Sequence, residues 1–173
     1  MKHMKHTLLL SLLLLCTMLT TSCEGAYPTS PVATYRYLTV DARAWDSRDT
    51  LTFDLPAPSD TLTAYRCTLY LRTTSAYPYT DLHLSTILDT LTTVGSTPVP
   101  QRRSTLTIPL CHSDGQRITN GFPYADQALP LQTFTLHPDR HYRLHITHRM
   151  RRNPIAGVAA IGIKVEPLAA PFQ

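Results

Sequence analysis

Three histidines near the C-terminus have the spacing that most suggests metal chemistry in this chain. His141, His145 and His148 are four and three residues apart, which on a helix would place them on one face, where imidazoles can bind zinc. The apolar residues between them alternate with polar ones, however, and this alternation predicts a strand. On a strand His141 and His145 would be about 13 Å apart at roughly 3.3 Å per residue, too far to share one zinc ion, and His148 would lie on the opposite face. We therefore predict solvent-exposed histidines and no metal site.

Motifs of known catalytic chemistry are absent from the sequence. No serine lies in a nucleophile-elbow pattern, no glycine-rich loop resembles a phosphate cradle, and no pair of carboxylates stands apart from its neighbours. Five aspartates crowd residues 41–60, where calcium binding is an alternative to the commoner roles of Asp in turns and in solubility. We therefore predict no catalytic residue and no cofactor. A hydrolase whose catalytic residues meet only in space remains an alternative.

The sequence around Cys23 indicates a covalent modification. Residues 1–6 carry two lysines, residues 8–15 are apolar apart from one serine, and three small residues precede the cysteine. This is the order of a secretory signal, and the apolar stretch is shorter than the roughly 20 residues that span a bilayer. A cysteine directly after a small residue resembles a bacterial lipobox, in which the thiol is acylated before the signal is cut, although Thr20 stands where that pattern usually has Leu. We predict a signal peptide over residues 1–22, lipid on Cys23 and a short tether over residues 23–33, with plain secretion as the alternative.

Length and charge are those of one ordinary domain. Without residues 1–22 the chain has 151 residues, enough for a sizeable core. The composition is 43% hydrophobic and 16% charged, which is not that of a disordered chain. Two of the 16 Lys and Arg residues precede Cys23, which leaves 14 against 12 Asp and Glu, and no basic run could follow a row of phosphates. We expect one domain over residues 34–173 and no nucleic-acid partner.

The domain is predicted to consist of strands. Apolar residues seldom recur at helical spacing, and four sets of them alternate with polar residues instead. These sets are Leu51, Phe53 and Leu55; Tyr65, Cys67, Leu69 and Leu71; Leu106, Ile108 and Leu110; and Tyr142, Leu144 and Ile146. Further strands are predicted over residues 35–40, 81–92, 131–136 and 159–165, with Pro100 and Pro130 among the prolines that mark loops. About eight strands without helices predict an all-β fold, a single antiparallel β-sandwich of jelly-roll or immunoglobulin-like type.

Two further cysteines leave a question about covalent cross-linking. Cys67 and Cys111 would face an oxidising compartment if the chain is exported, and they could then form a disulfide. Cys67 also fits a simple core position, because it belongs to one of the alternating sets. Both interpretations are compatible with the sequence.

Two segments stand out from the rest of the predicted domain. In the first, an arginine at the end of a strand precedes an aromatic turn, and the next strand is rich in leucine; its residues are Arg72, Tyr77, Pro78, Tyr79 and Leu82. In the second, Met150 and Arg151 end a strand, and a turn with Gly157 leads into an apolar strand that contains Gly162. Local packing of the turn and ion pairs of the two arginines within the loops are alternatives to a role in binding a partner.

These segments, together with Trp45 followed by Phe53, resemble the GldH family of gliding-motility lipoproteins of Bacteroidetes. The resemblance extends from Cys23 to Glu166 and includes the lipobox as well as the order and spacing of both segments. The sequence departs from that family in the middle loop, where a Trp expected between Asp114 and Gly121 is absent, and at Asp81, where the family favours Asn.

The resemblance implies a non-enzymatic lipoprotein of the outer membrane that is associated with the gliding motility and type IX secretion machinery. Glu24 agrees with that location, because the Asp that retains lipoproteins at the inner membrane of enteric bacteria is absent. The expected partners are the membrane itself, through the lipid, and other envelope proteins, with Arg72, Tyr77, Pro78, Tyr79, Met150 and Arg151 as the partner-binding candidates. A lipid-anchored carbohydrate-binding module is the alternative, because sandwiches present planar rings to sugars and four rings lie in predicted loops, Tyr77, Tyr79, Phe122 and Tyr124.

Overall fold

Alternation of apolar and polar residues produces eight strands in the part of the chain that the computed structural model describes, residues 33–56, 63–91, 99–138 and 140–168. In chain order these are β1 (Thr34–Thr39), β2 (Leu51–Asp54), β3 (Thr63–Thr74), β4 (Asp81–Leu91), β5 (Val99–Pro109), β6 (Tyr124–Leu136), β7 (His141–His148) and β8 (Val158–Pro167). No helix in these ranges is long and apolar enough to cross a membrane. The predicted signal peptide, Cys23 and nearly all of the predicted tether lie outside the described residues.

The strands form two four-stranded antiparallel sheets, ordered β1-β8-β3-β6 and β2-β7-β4-β5. Four of the six strand pairings are nested: β1 pairs with β8, β2 with β7, β3 with β6 and β4 with β5. The other two, β3 with β8 and β4 with β7, join these pairs into the two sheets. This is the arrangement of one long antiparallel hairpin rolled into two sheets, which defines a jelly roll. The prediction of an all-β antiparallel sandwich is confirmed, and the strand order selects the jelly roll over the immunoglobulin-like alternative.

The core lies between the two sheets and is filled by alternate residues of the central strands. Leu69 and Leu71 of β3 and Leu144 and Ile146 of β7 are almost fully buried, whereas the residues between them face outwards. This alternation follows from the two-residue period of a strand. The inward faces therefore fix the register of both sheets, since a shift by one residue would expose them.

Two of the prolines that were predicted to mark loops lie within strands. Pro130 belongs to β6 and Pro100 to β5, which are edge strands of their sheets. The register shifts beside each proline. As a result Leu131, next to Pro130, and Gln101, next to Pro100, have no partner on the neighbouring strand. An edge strand tolerates a proline at such a bulge, because the missing N–H need not complete a ladder on its open side. For this reason β6 begins at Tyr124 rather than at residue 131.

The expectation of solvent-exposed histidines was wrong for His148. His141 is exposed and His145 is partly exposed, but His148 is 2% exposed. Its position in β7 has the same parity as Tyr142, Leu144 and Ile146, so its side chain points into the sandwich.

The two cysteines of the domain are free. Cys67 is completely buried in β3, as the core interpretation predicted, and Cys111 is partly buried just after β5 of the other sheet. Burial raises the pKa of the Cys67 thiol to about 12. Cys67 is therefore an inert core residue rather than half of a disulfide.

Candidate functional site

Four connections between strands meet at one end of the sandwich. They are residues 40–50, 75–80, 110–123 and 149–157, and we refer to them as the loop cluster. Backbone hydrogen bonds join these connections to one another and to the end of β3: Gly157 N donates to Ala42 O at 2.7 Å, Leu110 N donates to Thr80 O at 2.8 Å, and Thr74 N of β3 donates to Gly157 O at 2.8 Å. The two segments that the sequence singled out are thus neighbours in space, although about 80 residues separate them.

The Tyr-Pro-Tyr turn packs inwards more than outwards. Tyr77 is 1% exposed, its hydroxyl donates to the carbonyl of Asp81 at 2.6 Å, and its ring meets that of Tyr79 edge-on with centroids 5.6 Å apart. Burial raises the pKa of Tyr77, so the hydroxyl stays protonated and able to donate. Arg117 donates from its guanidinium to the carbonyl of Tyr77. Pro78 is the exposed member of the turn.

Gly157 is the point at which the two segments touch. Its φ is +90°, and a Cβ at this position would lie under 3.0 Å from both N and Cα of Tyr77. A side chain is therefore excluded twice, by the backbone angle and by the approach of the other segment. The glycine that the sequence placed in a turn is required for the packing of that turn against Tyr77.

Trp45 holds a third loop of the cluster in place. It forms a two-way backbone bridge with Ile155, at 2.8 and 2.9 Å, and its ring contacts the imidazole of His148 edge-on at 5.0 Å between centroids. His148 Nε2 lies 3.2 Å from the carbonyl of Trp45, and its Nδ1 accepts from Met150 N at 3.4 Å. A neutral imidazole with the proton on Nε2 satisfies both contacts. Burial lowers the pKa of His148, which favours this neutral form.

Met150 and Arg151 have different environments. Met150 is partly buried against the core, and its Sδ accepts a hydrogen bond from His83 N at 3.4 Å. Arg151 is exposed, as are Arg149 and Arg152 on the same loop. This part of the loop cluster therefore presents three guanidinium groups to solvent.

Arg72 lies outside the loop cluster, on the outer face of β3. It forms a two-pronged ion pair with Asp126 of β6, at 2.7 Å for both N–O contacts, and its guanidinium is 5.5 Å from the centre of the Tyr124 ring. The hydrogen bonds from Arg72 lower the pKa of Asp126. The alternative in which Arg72 pairs with a carboxylate of the same protein is therefore observed, although the carboxylate comes from a neighbouring strand rather than from a loop.

The crowded aspartates serve turns where the structure shows their contacts. Asp41 Oδ1 accepts from Arg43 N and Asp46 Oδ1 accepts from Arg48 N, both at 2.9 Å, so each closes its own turn. Among the described residues no group of three or more His, Cys, Asp or Glu side chains is placed to hold a metal ion. The turn interpretation of Asp41 and Asp46 accounts for their contacts without calcium.

A cavity of about 540 Å³ opens near the Tyr-Pro-Tyr turn, and its lining includes Thr74, Ser75, Arg117, Asn120 and Phe122. The four rings predicted to serve a carbohydrate site do not form one exposed set around it. Tyr77 is buried and Tyr79 is partly buried, whereas Phe122 is 94% exposed and Tyr124 is 47% exposed. Two of these four rings are therefore structural.

Sequence reasoning missed the roles of Trp45 and His148 as parts of the loop cluster. The parity of His148 with the buried residues of β7 was a readable signal for its burial. The bridge between Trp45 and Ile155 joins residues 110 positions apart, and no local pattern indicates it.

Comparison with known proteins identifies one family. A family model described as "GldH lipoprotein" matches residues 33–165. No protein with a curated description matches the chain. Among solved structures, "Structure of Eiger TNF from S. frugiperda" is similar at 12% identity and a TM-score of 0.29, with 82% of this chain and 97% of that chain covered. A TM-score of this size does not establish a shared fold.

Proposed function

The chain belongs to the GldH lipoprotein family, and from this premise we propose that it is a non-enzymatic lipoprotein of the outer membrane that works with the gliding motility and type IX secretion machinery. The family match over residues 33–165 is the observation that carries the proposal. The lipobox-like sequence ending at Cys23 lies ten residues before the matched region. The proposal goes beyond family membership in three respects: the outer-membrane location, the association with the motility and secretion machinery, and the absence of catalysis.

The lipid would supply the membrane attachment. Each buried methylene of an acyl chain contributes about 0.8 kcal/mol, so a single chain binds reversibly while two or three hold firmly. A fully acylated Cys23 needs no further membrane contact from the domain. The direction of β1 supports separate surfaces for the two contacts, because Thr34, where this strand begins, lies at the end of the sandwich opposite to the loop cluster.

The loop cluster is the part of the domain that we propose for contact with other envelope proteins. Its backbone hydrogen bonds and the buried Tyr77 and Trp45 hold the loops in one arrangement, which limits the entropy lost on binding. Pro78 and Arg151 are the exposed members of the predicted set in this cluster. With Arg149 and Arg152 beside Arg151, an acidic surface on the partner would be complementary.

Acylation is tested by labelling cells that produce the full chain with radioactive palmitate. We expect Cys23→Ala to lose the label and to release the domain from membranes. Cys16→Ala is the matched control and should keep both, since Cys16 lies inside the apolar run of the signal. Unchanged labelling of Cys23→Ala would end the proposal of a lipid anchor at this residue.

The assignment to the motility and secretion machinery needs the natural host. We expect deletion of the gene to reduce colony spreading and export of type IX cargo, and we expect wild type, but not Cys23→Ala, to restore both. Partners are identified by pull-down of the lipidated protein from its own envelope followed by mass spectrometry. Arg151→Glu should lose the partner while Arg103→Glu, an exposed arginine of β5, should retain it. Normal spreading and export without the gene would exclude this function.

A further inference from the structure

Three tyrosines lie side by side on the solvent-facing side of the sheet β1-β8-β3-β6. Tyr35 and Tyr37 belong to β1 and Tyr70 to β3, and we refer to them as the tyrosine face. The centroid of the Tyr70 ring is 6.3 Å from that of Tyr35 and 5.9 Å from that of Tyr37. Tyr35 is 53% exposed and Tyr37 is 51% exposed. Within the described residues these three rings belong neither to the core nor to the loop cluster.

A glycine between the strands positions one of these rings. Gly162 of β8 stands opposite both Tyr37 and Tyr70 in the sheet register. A Cβ at Gly162 would lie 2.5 Å from two ring carbons of Tyr37, so the ring occupies the space that a side chain would fill. One side of the Tyr37 ring is therefore packed on the sheet while about half of the side chain stays accessible. The ring is held in place before any ligand arrives, which lowers the entropy cost of binding.

Two of the three cations on this side of the sheet are paired, whereas Arg66 of β3 is exposed and forms no ion pair among the described residues. Lys164 forms an ion pair with Glu166 and lies 5.5 Å from the centre of the Tyr35 ring. At the other end Arg72 is paired with Asp126. In the described part of the chain, the surroundings of the rings therefore carry hydrogen-bond donors and acceptors, two ion pairs and one unpaired guanidinium group.

We propose that the tyrosine face binds an uncharged polysaccharide. Aromatic rings offer an apolar surface to the C–H faces of pyranose rings, and the tyrosine hydroxyls and the flanking ion pairs can exchange hydrogen bonds with sugar hydroxyls. Tyr35 and Tyr37 are two residues apart on one strand, about 6.6 Å along the chain, so neighbouring sugar units of one polymer can reach both rings. Because Arg66 is the one cation of this side that no described carboxylate pairs, the face lacks the row of free cations that would favour a strongly acidic polymer.

A flat protein partner fits these features less well. Covering the face with protein would desolvate the two ion pairs, which costs more than their attraction returns unless each gains new hydrogen bonds. A hydrated sugar chain leaves those pairs in contact with hydroxyl groups and water. The inference concerns a different surface from the loop cluster and does not depend on the proposed function.

Biolayer interferometry with biotinylated polysaccharides on the sensor tests the inference. The full chain, purified in detergent, is applied to dextran, glucomannan and hydroxyethyl cellulose, with alginate as the acidic counterpart. We expect binding to at least one neutral polymer and weaker binding to alginate. Tyr37→Ala should raise the Kd about tenfold or more, and Tyr35→Ala combined with Tyr37→Ala should abolish binding. Both side chains are half-exposed, so these variants should keep the wild-type circular dichroism spectrum and melting temperature.

Two further variants distinguish the tyrosine face from other surfaces. Gly162→Ala should displace the Tyr37 ring and weaken binding without removing any aromatic group. Val99→Ala removes an exposed apolar side chain from the other sheet and should leave the Kd unchanged. Phe122→Ala should also have no effect, which separates this face from the cavity at the loop cluster.

Several results would overturn the inference. They are an absence of binding to all three neutral polymers, binding to alginate alone, or an unchanged Kd in the folded Tyr37→Ala variant. A photocrosslinker placed at Tyr35 in living cells gives an independent measurement. Adducts with protein alone would identify the face as a protein interface and would also refute polysaccharide binding. Neither result bears on the lipid anchor, which palmitate labelling of Cys23 tests separately.

Discussion

Replacement of Gly157 by alanine should destabilise the domain far more than a turn glycine ordinarily allows. The residue has a φ of +90°, and an added Cβ would lie under 3.0 Å from backbone atoms of Tyr77. An L-residue forced to positive φ costs about 1–2 kcal/mol, and insertion of a methyl group into a packed site costs about 1–3 kcal/mol. The Tyr77 backbone cannot move aside freely, because Thr74 N is hydrogen-bonded to Gly157 O and the Tyr77 side chain is buried. We therefore expect Gly157→Ala to lower the free energy of unfolding by about 2–5 kcal/mol.

The chain contains a matched control for this prediction. Gly115 also has positive φ, at +84°, but an added Cβ there meets no atom within 4 Å. Gly115→Ala should therefore cost about 1–2 kcal/mol from the backbone angle alone. The gain of about 0.4–1 kcal/mol from the less flexible unfolded chain applies to both variants and cancels in their difference. The difference between the two variants isolates the contact between Gly157 and Tyr77.

Thermal and urea unfolding followed by circular dichroism are suitable assays. For a domain of this size each kcal/mol lowers the melting temperature by about 3–5 °C, so Gly157→Ala should melt roughly 6–25 °C below wild type and Gly115→Ala only a few degrees below it. Equal shifts in the two variants would refute the reasoning, because they would show that the loops separate without penalty. A Gly157→Ala protein as stable as wild type would refute it more directly.

Two other predictions concern buried titratable groups. Because burial lowers the pKa of His148 below the ordinary value of about 6.5, the native state takes up a proton less readily than the unfolded chain does. The unfolding free energy should therefore be greatest above about pH 6.5 and decline as the pH falls below it, and urea titrations at pH 7.5, 6.0 and 5.0 should show a flatter decline in His148→Gln. The thiol of Cys67 should resist Ellman's reagent at pH 8 in the native protein, since its pKa is about 12 and it is fully buried. Cys67→Ala should thus remove one reactive thiol after denaturation but none before it, and loss of a thiol from the native count would show that the site opens.

The strands were predictable because they depend on local alternation of apolar and polar residues. The predictions that failed concern two prolines and one histidine. Period two located β2, β3, β5 and β7, since one face of each sheet must be apolar to form the core, and the other four predicted ranges each overlap an observed strand. Pro100 and Pro130 were wrongly predicted to lie in loops, because a proline was interpreted as a loop signal without knowledge of which strands lie at an edge. His148 was wrongly predicted to be exposed, because its residue type was given more weight than its parity with the buried residues of β7.

The candidate sites were much less predictable, because they are made by distant parts of the chain. Trp45 meets Ile155, and Tyr77 meets Gly157, only because the nested pairing of the jelly roll brings all four connections to one end. The tyrosine face requires the register of β1, β8 and β3 to be known, since Tyr37 and Tyr70 are opposite Gly162 only in that register. Tyrosines were expected to be exposed in loops, yet two of the three in the tyrosine face lie on an edge strand that the sequence marked simply as a strand.

Gly157 and Gly162 show how the same residue type can serve stability at one place and presentation of a ring at another. Both lie where a Cβ would collide with a tyrosine, but at Gly157 the colliding atoms are backbone, whereas at Gly162 they belong to the half-exposed ring of Tyr37. The half-exposed Tyr37 ring can turn into solvent at the cost of its contact with the sheet alone, whereas the hydrogen-bonded turn at Tyr77 cannot move aside. Gly157→Ala should therefore lower the melting temperature. Gly162→Ala should weaken the affinity for the ligand and leave the melting temperature nearly unchanged. If the Gly162 variant instead loses stability as strongly as the Gly157 variant, the Tyr37 ring is part of the packed structure and the tyrosine face is not free to bind.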